Sequence, residues 1–462
     1  MKQNTYERTP EQIALAEVKR QKRQAKRLQQ EQQLQNAPIV DEALQKARII
    51  PRPWISLSRP TGLEALGVKI MTWNLLAQCL VRSELFPTSA KARKAGEREP
   101  MIHAEILSHD ADILCMQEVD RLDKLLPMLE NAGYSHTYTA GPGKPHGCLV
   151  AYKQNMFQKA DAQMIQYDNL EVRLDAEAST EARIGSSHRT TNIASIVALE
   201  RLGSESEKKG YIVATTHLFW HPAYTYERAR QAVLLLREVV AFQESRQLQH
   251  WPCIIAGDFN FAPDDPAYSL LVGGPIHDPL SAEQKERLKI SRVVHLSIGP
   301  SVPKSIKKEA DEGGGEAEAD PDRVIRNSRD AVLSDGLLSD TELCQLVSRR
   351  LRSAYDEGQS AWRQSIEQKI DVATYGDRKS LPAEQLGAHE PMWTSYTHYW
   401  KTTLDYIFVL DPPQSRTEVV GYVQPHRTED VALGLPQIGI CGSDHFSLCA
   451  QLVTSPLHSS VE

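Results

Sequence analysis

Several short apolar runs in this chain end in residues that can bind a cation or move a proton. "MTWN" ends at Asn74, "LCMQE" at Glu118, "ATTH" at His217 and "IIAGDFN" at Asp258 and Asn260. "TTLDYIF" carries Asp405 inside a strand-like run, and "GSDHFSL" puts Asp444 and His445 just ahead of another. Taken singly, each reads as a turn, because Gly, Asp and Asn are common where strands stop. Taken together they are three Asp, one Glu, two Asn and two His at the edges of apolar strands. Strands that stack side by side can bring such ends into one cleft.

The chemistry of that set is coherent. A hard divalent cation such as Mg²⁺ takes oxygen ligands, keeps several waters and is held by one or two carboxylates plus a substrate phosphate. Glu118 is the best single ligand candidate, and neither a thiolate cluster nor a paired-His zinc pattern lies near it. Hydrolysis of a phosphodiester needs charge neutralised on the non-bridging oxygens, an in-line water and a stabilised leaving oxygen. His445 can hydrogen-bond a phosphate oxygen, and Asp405 could hold that imidazole and raise its pKa. Asp258 could orient the water. Asn74 and Asn260 would be neutral partners that do not repel the substrate.

The elements that must position these residues are eight short apolar segments: "VKIMTWN", "ADILCMQE", "GCLVAY", "NIASIVAL", "YIVATTHL", "CIIAGDFN", "TLDYIFVL" and "FSLCAQLV". Each reads as a buried strand. Helical patterns lie over 100–108, 121–132 and 227–245. In the last, Ala232, Val233, Leu236, Val239 and Val240 form a stripe at 3.6-residue spacing. Many strands with helices outside them predict a layered α/β domain, two stacked sheets with helices on both outer faces.

Residues 1–50 are expected to be a basic, Gln-rich tail, partly helical or disordered. Residues 51–274 and 391–455 are the two parts of the catalytic domain, and 456–462 a disordered end. Between them, 275–390 reads as an insertion. Its acidic, Gly-rich stretch at about 300–335 is expected to be disordered. An amphipathic helix is expected at about 340–356, opened by a capping box of Ser339 and Glu342 with Leu343, Leu346, Val347 and Leu351 on one face.

The net charge of −7 over 462 residues argues against wholesale coating of nucleic acid, but it is unevenly placed. "EADEGGGEAEADPD" (309–322) holds seven acidic residues; without it the rest of the chain is neutral. "KRQKRQAKR" (19–27) holds six basic ones, a candidate nuclear or nucleolar address or RNA-touching arm. The seven cysteines form no CxxC pair, and several lie in apolar runs, as expected of reduced thiols. No apolar run is long enough to span a bilayer, so no membrane association is expected.

The ordered set WN, QE, THL, GDFN, LDYI and SDH resembles the endonuclease/exonuclease/phosphatase superfamily, over about 67–275 and 390–453. "THLFWHP", "RARQAVLLL", "GKPHGCLVAYK" and "YTHYWKTTLDYIF" are similar to its nocturnin, Angel and carbon-catabolite-repressor deadenylase branch. "VVHLSIGPSV" and "WTSYTHYWKTTLDYIF" resemble the NGL-type RNA exonucleases in particular.

The resemblance implies a four-layered α/β sandwich and Mg²⁺, with Mn²⁺ as a substitute. It implies metal and phosphate roles for Asn74, Glu118, Asp258, Asn260, Asp444 and His445, with Asp405 as the partner of the histidine. Of these, Glu118 and Asp444 are the metal candidates. It also implies substrate contacts at His217 and Pro222, and base stacking at Trp400, a contact that tolerates any base. Three departures stand out. Thr215 replaces a common Asn before Thr-His, Thr402 replaces a common Gly, and the leucine-rich repeats of deadenylase-complex subunits are missing.

The expected activity is therefore a Mg²⁺-dependent 3′–5′ exoribonuclease releasing nucleoside 5′-monophosphates, in ribosomal RNA 3′-end processing or poly(A) removal. It would act as a monomer on single-stranded 3′ ends, in the nucleus or nucleolus, with the cytoplasm as the alternative. Competing readings are a nocturnin-like nucleotide phosphatase or DNA endonuclease on the same fold, and a non-catalytic RNA-binding scaffold.

Overall fold

Two mixed sheets face one another, and alternation along their strands explains why both are buried on both sides. The computed structural model describes residues 45–57, 66–203, 209–273, 279–298, 325–365, 381–382 and 384–457. The chain divides into two units, Met1–Lys46 and Ala47–Glu462, and both sheets with their helices belong to the second. The expectations for residues 1–44, 299–324 and 458–462 lie outside the described residues.

The strands are β1 (Trp54–Ser56), β2 (Leu66–Asn74), β3 (Ile113–Val119), β4 (Tyr134–Ala140), β5 (Gly147–Lys153), β6 (Phe157–Gln166), β7 (Ile193–Arg201), β8 (Gly210–Thr216) and β9 (Cys253–Asp258). They continue as β10 (Val293–His295), β11 (Ser328–Asp330), β12 (Arg352–Ser353), β13 (Ser395–Tyr396), β14 (Lys401–Thr402), β15 (Asp405–Leu410), β16 (Ser415–Val423) and β17 (Leu448–Pro456). The first sheet runs β1-β16-β17-β2-β3-β5-β4 and the second β12-β15-β9-β8-β7-β6. Only β2 with β3 and β8 with β9 pair in parallel within these sheets.

Residues two apart share a face of a strand. On the second sheet, Val197, Val213, Ile254, Ala256, Ile407 and Val409 point into a core shared with Ile70, Ile113, Cys115 and Val150 of the first. Their neighbours Ile196, Ile212, Cys253, Ile255, Tyr406 and Phe408 point the other way, onto the helix Thr225–Ser245 through its Ala229, Ala232, Val233 and Leu236. Helices Ala95–His109 and Leu122–Asn131 bury Ile102, Ile106, Leu125 and Leu129 against the first sheet. This is the expected four-layered sandwich, helix over sheet over sheet over helix.

All eight expected strands are present. The additional β4 and β6 are sheet edges whose polar, partly exposed residues ("YSHTYTA", "FQKADAQMIQ") carry no buried-strand signal. The segment 340–356 departs from expectation. Its capping box forms, but the helix stops at Gln345. The chain then joins the edge of the second sheet, with Arg352 and Ser353 opposite Val409 and Phe408, and a new helix runs over Ala354–Ser365. Pairing with an open sheet edge, reinforced by Leu351 N donating to Leu271 O, overrides local helix propensity. Leu343, Val347 and Leu351 are buried in the core beneath the helix Thr225–Ser245, so this part of the insertion belongs to the domain itself. Residues 328–330, inside the span expected to be disordered, pair with β10. Among the described residues no helix is long and apolar enough to cross a membrane.

Candidate active site

The strand ends converge as their pairing requires. Register in the second sheet sets Asp405, at the start of β15, directly opposite Asp258, at the end of β9. Asp258 also bridges His217 across the parallel edge of β8. Gly257 lets these strands approach: a Cβ there would come 2.3 Å from the Thr216 carbonyl oxygen. In the first sheet, Asn74 ends β2 beside Gln117. A bulge in β3 between Met116 and Val119 turns Glu118 out of the ladder. Glu118, Asn260 and Leu76 all adopt left-handed backbone angles, with φ of 54°, 52° and 57°. Such angles cost a non-glycine residue of order 1–3 kcal/mol and cluster at functional sites.

Asn74 links the two sheets. Its Nδ2 donates to Glu118 Oε1 at 2.8 Å and to Asp258 Oδ2 at 2.9 Å, so one amide group holds a carboxylate of each sheet. Its Oδ1 accepts from Leu76 N, and Glu118 Oε2 accepts from Ala77 N at 2.8 Å. His217 lies between the same acids, Nδ1 3.9 Å from Glu118 and Nε2 3.6 Å from Asp258. His445 Nδ1 bonds Asp405 Oδ2 at 2.7 Å, and its Nε2 lies 3.8 Å from Asp258 Oδ2. Thr394 Oγ1 donates to the same Asp405 oxygen at 2.6 Å. Trp73 Nε1 donates to the His445 carbonyl at 2.8 Å, fixing the backbone that carries the imidazole.

Asn260 bonds Asp258 Oδ1 through its backbone N–H and the Leu218 carbonyl through its side chain. Asp444 adjoins Asn74 through Ser443, whose hydroxyl donates to the Asn74 carbonyl at 2.7 Å. Trp400 is one remove away. Its Nε1 donates to Ser395 Oγ, and Ser395 bridges His445 through the backbone. The edge of Phe86 holds the same indole, ring centroids 6.2 Å apart. Pro222 stands apart from this network: it is exposed, with its carbonyl held by Arg228.

Two residues not singled out in the sequence support the cluster. Arg98, 3 % exposed, donates to the carbonyls of Leu75, Leu76 and Gly442, pinning the loop after Asn74 to the loop before Asp444. The charges of Asp444, Asp120 and Glu118 face it. Gln117 spans the sheets, donating to Thr72 on β2 and to Thr215 on β8. Thr215, where the resemblance leads one to expect Asn, is thus spent on a buried contact beneath the site. An arginine on a helix and a glutamine inside a strand carry no signal of their own in a single sequence.

The electrostatics are those of crowded acids. Burial, and then the adjacent Asp405 charge, push the Asp258 carboxyl well above the usual carboxylate range, against the pull of His445 and Asn74. Burial raises Asp444 as well. Burial alone would lower His445, but the Asp405, Asp444 and Asp258 charges outweigh it and hold its pKa well above the ordinary histidine value. Donor atoms of Asp258, Asp405 and His445 lie within 4.8 Å of one another. In that trio the Asp405 oxygen and the His445 Nδ1 are already spent on each other. The Glu118 carboxylate, turned out of its strand beside Asn74, offers the hard, anionic oxygens that a divalent cation takes.

The model of the Endonuclease/Exonuclease/phosphatase family matches residues 71–445. RNA exonuclease NGL2 of Saccharomyces cerevisiae is 26 % identical over 448 residues, covering 87 % of this chain and 81 % of that protein. Probable RNA exonuclease C9B6.11c of Schizosaccharomyces pombe is 29 % identical over 360 residues, covering 76 % and 67 %. The crystal structure of ANGEL2, a 2′,3′-cyclic phosphatase, in complex with adenosine-2′,3′-vanadate, superposes with a TM-score of 0.55 at 21 % identity, covering 88 % of this chain and 99 % of that one. That likeness speaks to the fold alone.

Proposed function

The chain belongs to the endonuclease/exonuclease/phosphatase family, and from that premise we propose that it is a divalent-metal-dependent hydrolase of RNA, a Mg²⁺-dependent 3′–5′ exoribonuclease releasing nucleoside 5′-monophosphates. One observation carries the reading: a single amide, Asn74 Nδ2, holds Glu118 and Asp258 side by side, with Nε2 of the Asp405-bound His445 3.8 Å from Asp258. The relatives named RNA exonucleases, aligned over most of this chain, support RNA as the substrate.

Glu118 would hold the cation, with Asp444 and Asn74 beside it. When bound, Mg²⁺ supplies charge to a non-bridging phosphate oxygen and to the leaving oxygen. The chain's own residues do the rest. Asp405 accepts the Nδ1 proton of His445 and so aims Nε2–H at the phosphate, where an imidazolium also neutralises charge. Asp258, its affinity for a proton raised by burial, orients the attacking water and can take its proton. Asn260 N–H keeps the Asp258 carboxylate in place. Water adds to phosphorus and the P–O3′ bond breaks, leaving the phosphate on the 5′ oxygen of the released nucleotide. Trp400, locked by Ser395 and Phe86, offers an indole face to a base.

The test is a cleavage assay on 5′-labelled poly(A), poly(U) and a structured RNA, with and without Mg²⁺. Progressive shortening from the 3′ end in Mg²⁺ supports the proposal, and the preferred RNA distinguishes poly(A) removal from ribosomal RNA trimming. Phosphate release from a dinucleotide with the RNA ladder intact would replace it with a nucleotide phosphatase. The basic run at 19–27 supports a nuclear or nucleolar address. Deleting residues 1–50 and imaging the protein tests that separately.

A further inference from the structure

A hollow opens beside Glu118, between the turn joining β4 to β5 and the segment leading into β7. Glu118 and His217 form the side it shares with the active site, and Lys144, His146, Thr191 and Asn192 line the remainder. Lys144 is the one Lys or Arg among its lining residues. Lys144 Nζ donates to Asn192 Oδ1 at 3.0 Å, and Asn192 Nδ2 donates to the His217 carbonyl at 2.7 Å. The buried amide of Asn192, 3 % exposed, therefore ties the lysine to the backbone of the histidine that faces both catalytic acids. The walls are held by close approach. A Cβ on Gly141 would meet the Thr191 carbonyl oxygen at 2.1 Å, and one on Gly147 the Thr139 carbonyl oxygen at 2.2 Å.

A lysine held at a fixed place beside a metal-binding carboxylate suits an anion that continues from the reacting phosphate. We propose that this hollow binds the polynucleotide phosphate next to the scissile one, with Lys144 as its counter-charge. This rests on the reading of the protein as an RNA hydrolase. In a polynucleotide every linkage carries the same charge, so the contact selects a chain over a mononucleotide without reading its sequence.

The experiment compares the full-length protein with Lys144→Gln and Lys144→Arg on a short single-stranded RNA. One version of the RNA carries a neutral methylphosphonate at the linkage adjoining the scissile bond. Lys144→Gln should raise KM about ten-fold on the native RNA, the worth of one charge-assisted hydrogen bond, with kcat within about two-fold. Lys144→Arg should recover most of the loss. The methylphosphonate should cost the wild type about the same factor and Lys144→Gln almost nothing more, because the two changes remove one contact. RNA binding in EDTA, followed by fluorescence anisotropy, should show a log–log salt slope shallower by about 0.7 in Lys144→Gln. Additive losses, or wild-type KM and salt slope in Lys144→Gln on an RNA that both proteins cleave, would overturn the subsite and leave the hydrolase reading standing. A wild-type protein that neither binds nor shortens RNA would overturn both.

Discussion

His445 Nδ1 lies 2.7 Å from Asp405 Oδ2, and the strand pairing that places Asp405 also sets it opposite Asp258. One register thus orients the imidazole and crowds two carboxylates. Asp405→Asn keeps the shape but offers an N–H where the imidazole needs an acceptor, favouring the wrong tautomer. We expect kcat on RNA to fall by about 10³–10⁴-fold, as when a histidine loses its orienting carboxylate elsewhere. A thermal melt should stay near that of the parent. A variant with parental kcat would remove Asp405 from the mechanism.

Glu118→Gln retains size and an acceptor oxygen but loses the charge a cation needs. Activity should fall at least about 100-fold, and calorimetric titration with Mg²⁺ should show weaker binding. EDTA should silence the parent, with Mg²⁺ or Mn²⁺ restoring it. Undiminished turnover in EDTA would end the metal-dependent account.

Gly257→Ala would push a methyl group against the Thr216 carbonyl, between the strands that carry Asp258 and His217. The expected cost is roughly 1–3 kcal/mol of stability from overpacking. Displacing Asp258 should also lower kcat by about ten-fold or more. Urea denaturation and turnover, measured on the same preparation, check both. A neutral outcome in both would mean that the strands separate freely there.

Away from the site, buried Glu105 pairs with Arg52, His109 and the Ser447 hydroxyl. Burial would raise its pKa, but the Arg52 charge and these hydrogen bonds hold it far below the ordinary value of 4.5. Because the folded value is the lower one, the pair's stabilisation is complete above about pH 4.5 and fades as pH falls below it. Glu105→Gln strands a buried Arg52, at an expected cost of about 3–5 kcal/mol at pH 7. The gap between parent and variant in urea denaturation should narrow at pH 3.5. A gap that widens on acidification would contradict the sign.

Buried His426 has the opposite charge logic and the same direction. Burial, then Arg52, lowers its pKa from 6.5 to about 3, so it is neutral when folded. Below pH 6.5 the unfolded chain takes up a proton that the folded one refuses, and stability declines from there toward pH 3. His426→Gln should flatten that part of the stability–pH curve. If the curve between pH 6.5 and 5 is unchanged in the variant, another group is responsible.

The strands that end in site residues were legible because burial on both faces leaves continuous apolar runs, as in Cys253–Ile255 and Tyr406–Val409. The break at Gln345 was not. The sequence there carries a good cap and an apolar face, and the open edge of β15 that captures Arg352 lies elsewhere in the chain. Arg98 was equally hidden, because its importance comes from the carbonyls it reaches across two loops.

Which residues can do chemistry, and that they end buried strands, follows from residue type and local periodicity, because both are written in consecutive positions. That Asn74 holds Glu118 and Asp258 together, that β3 bulges to free Glu118, and that Lys144 lines the same hollow as Glu118 emerge with the folded chain. Those facts depend on register between distant strands and on the facing of two sheets. Backbone pairing and core packing set them together over the whole domain, and no short stretch of the chain contains them.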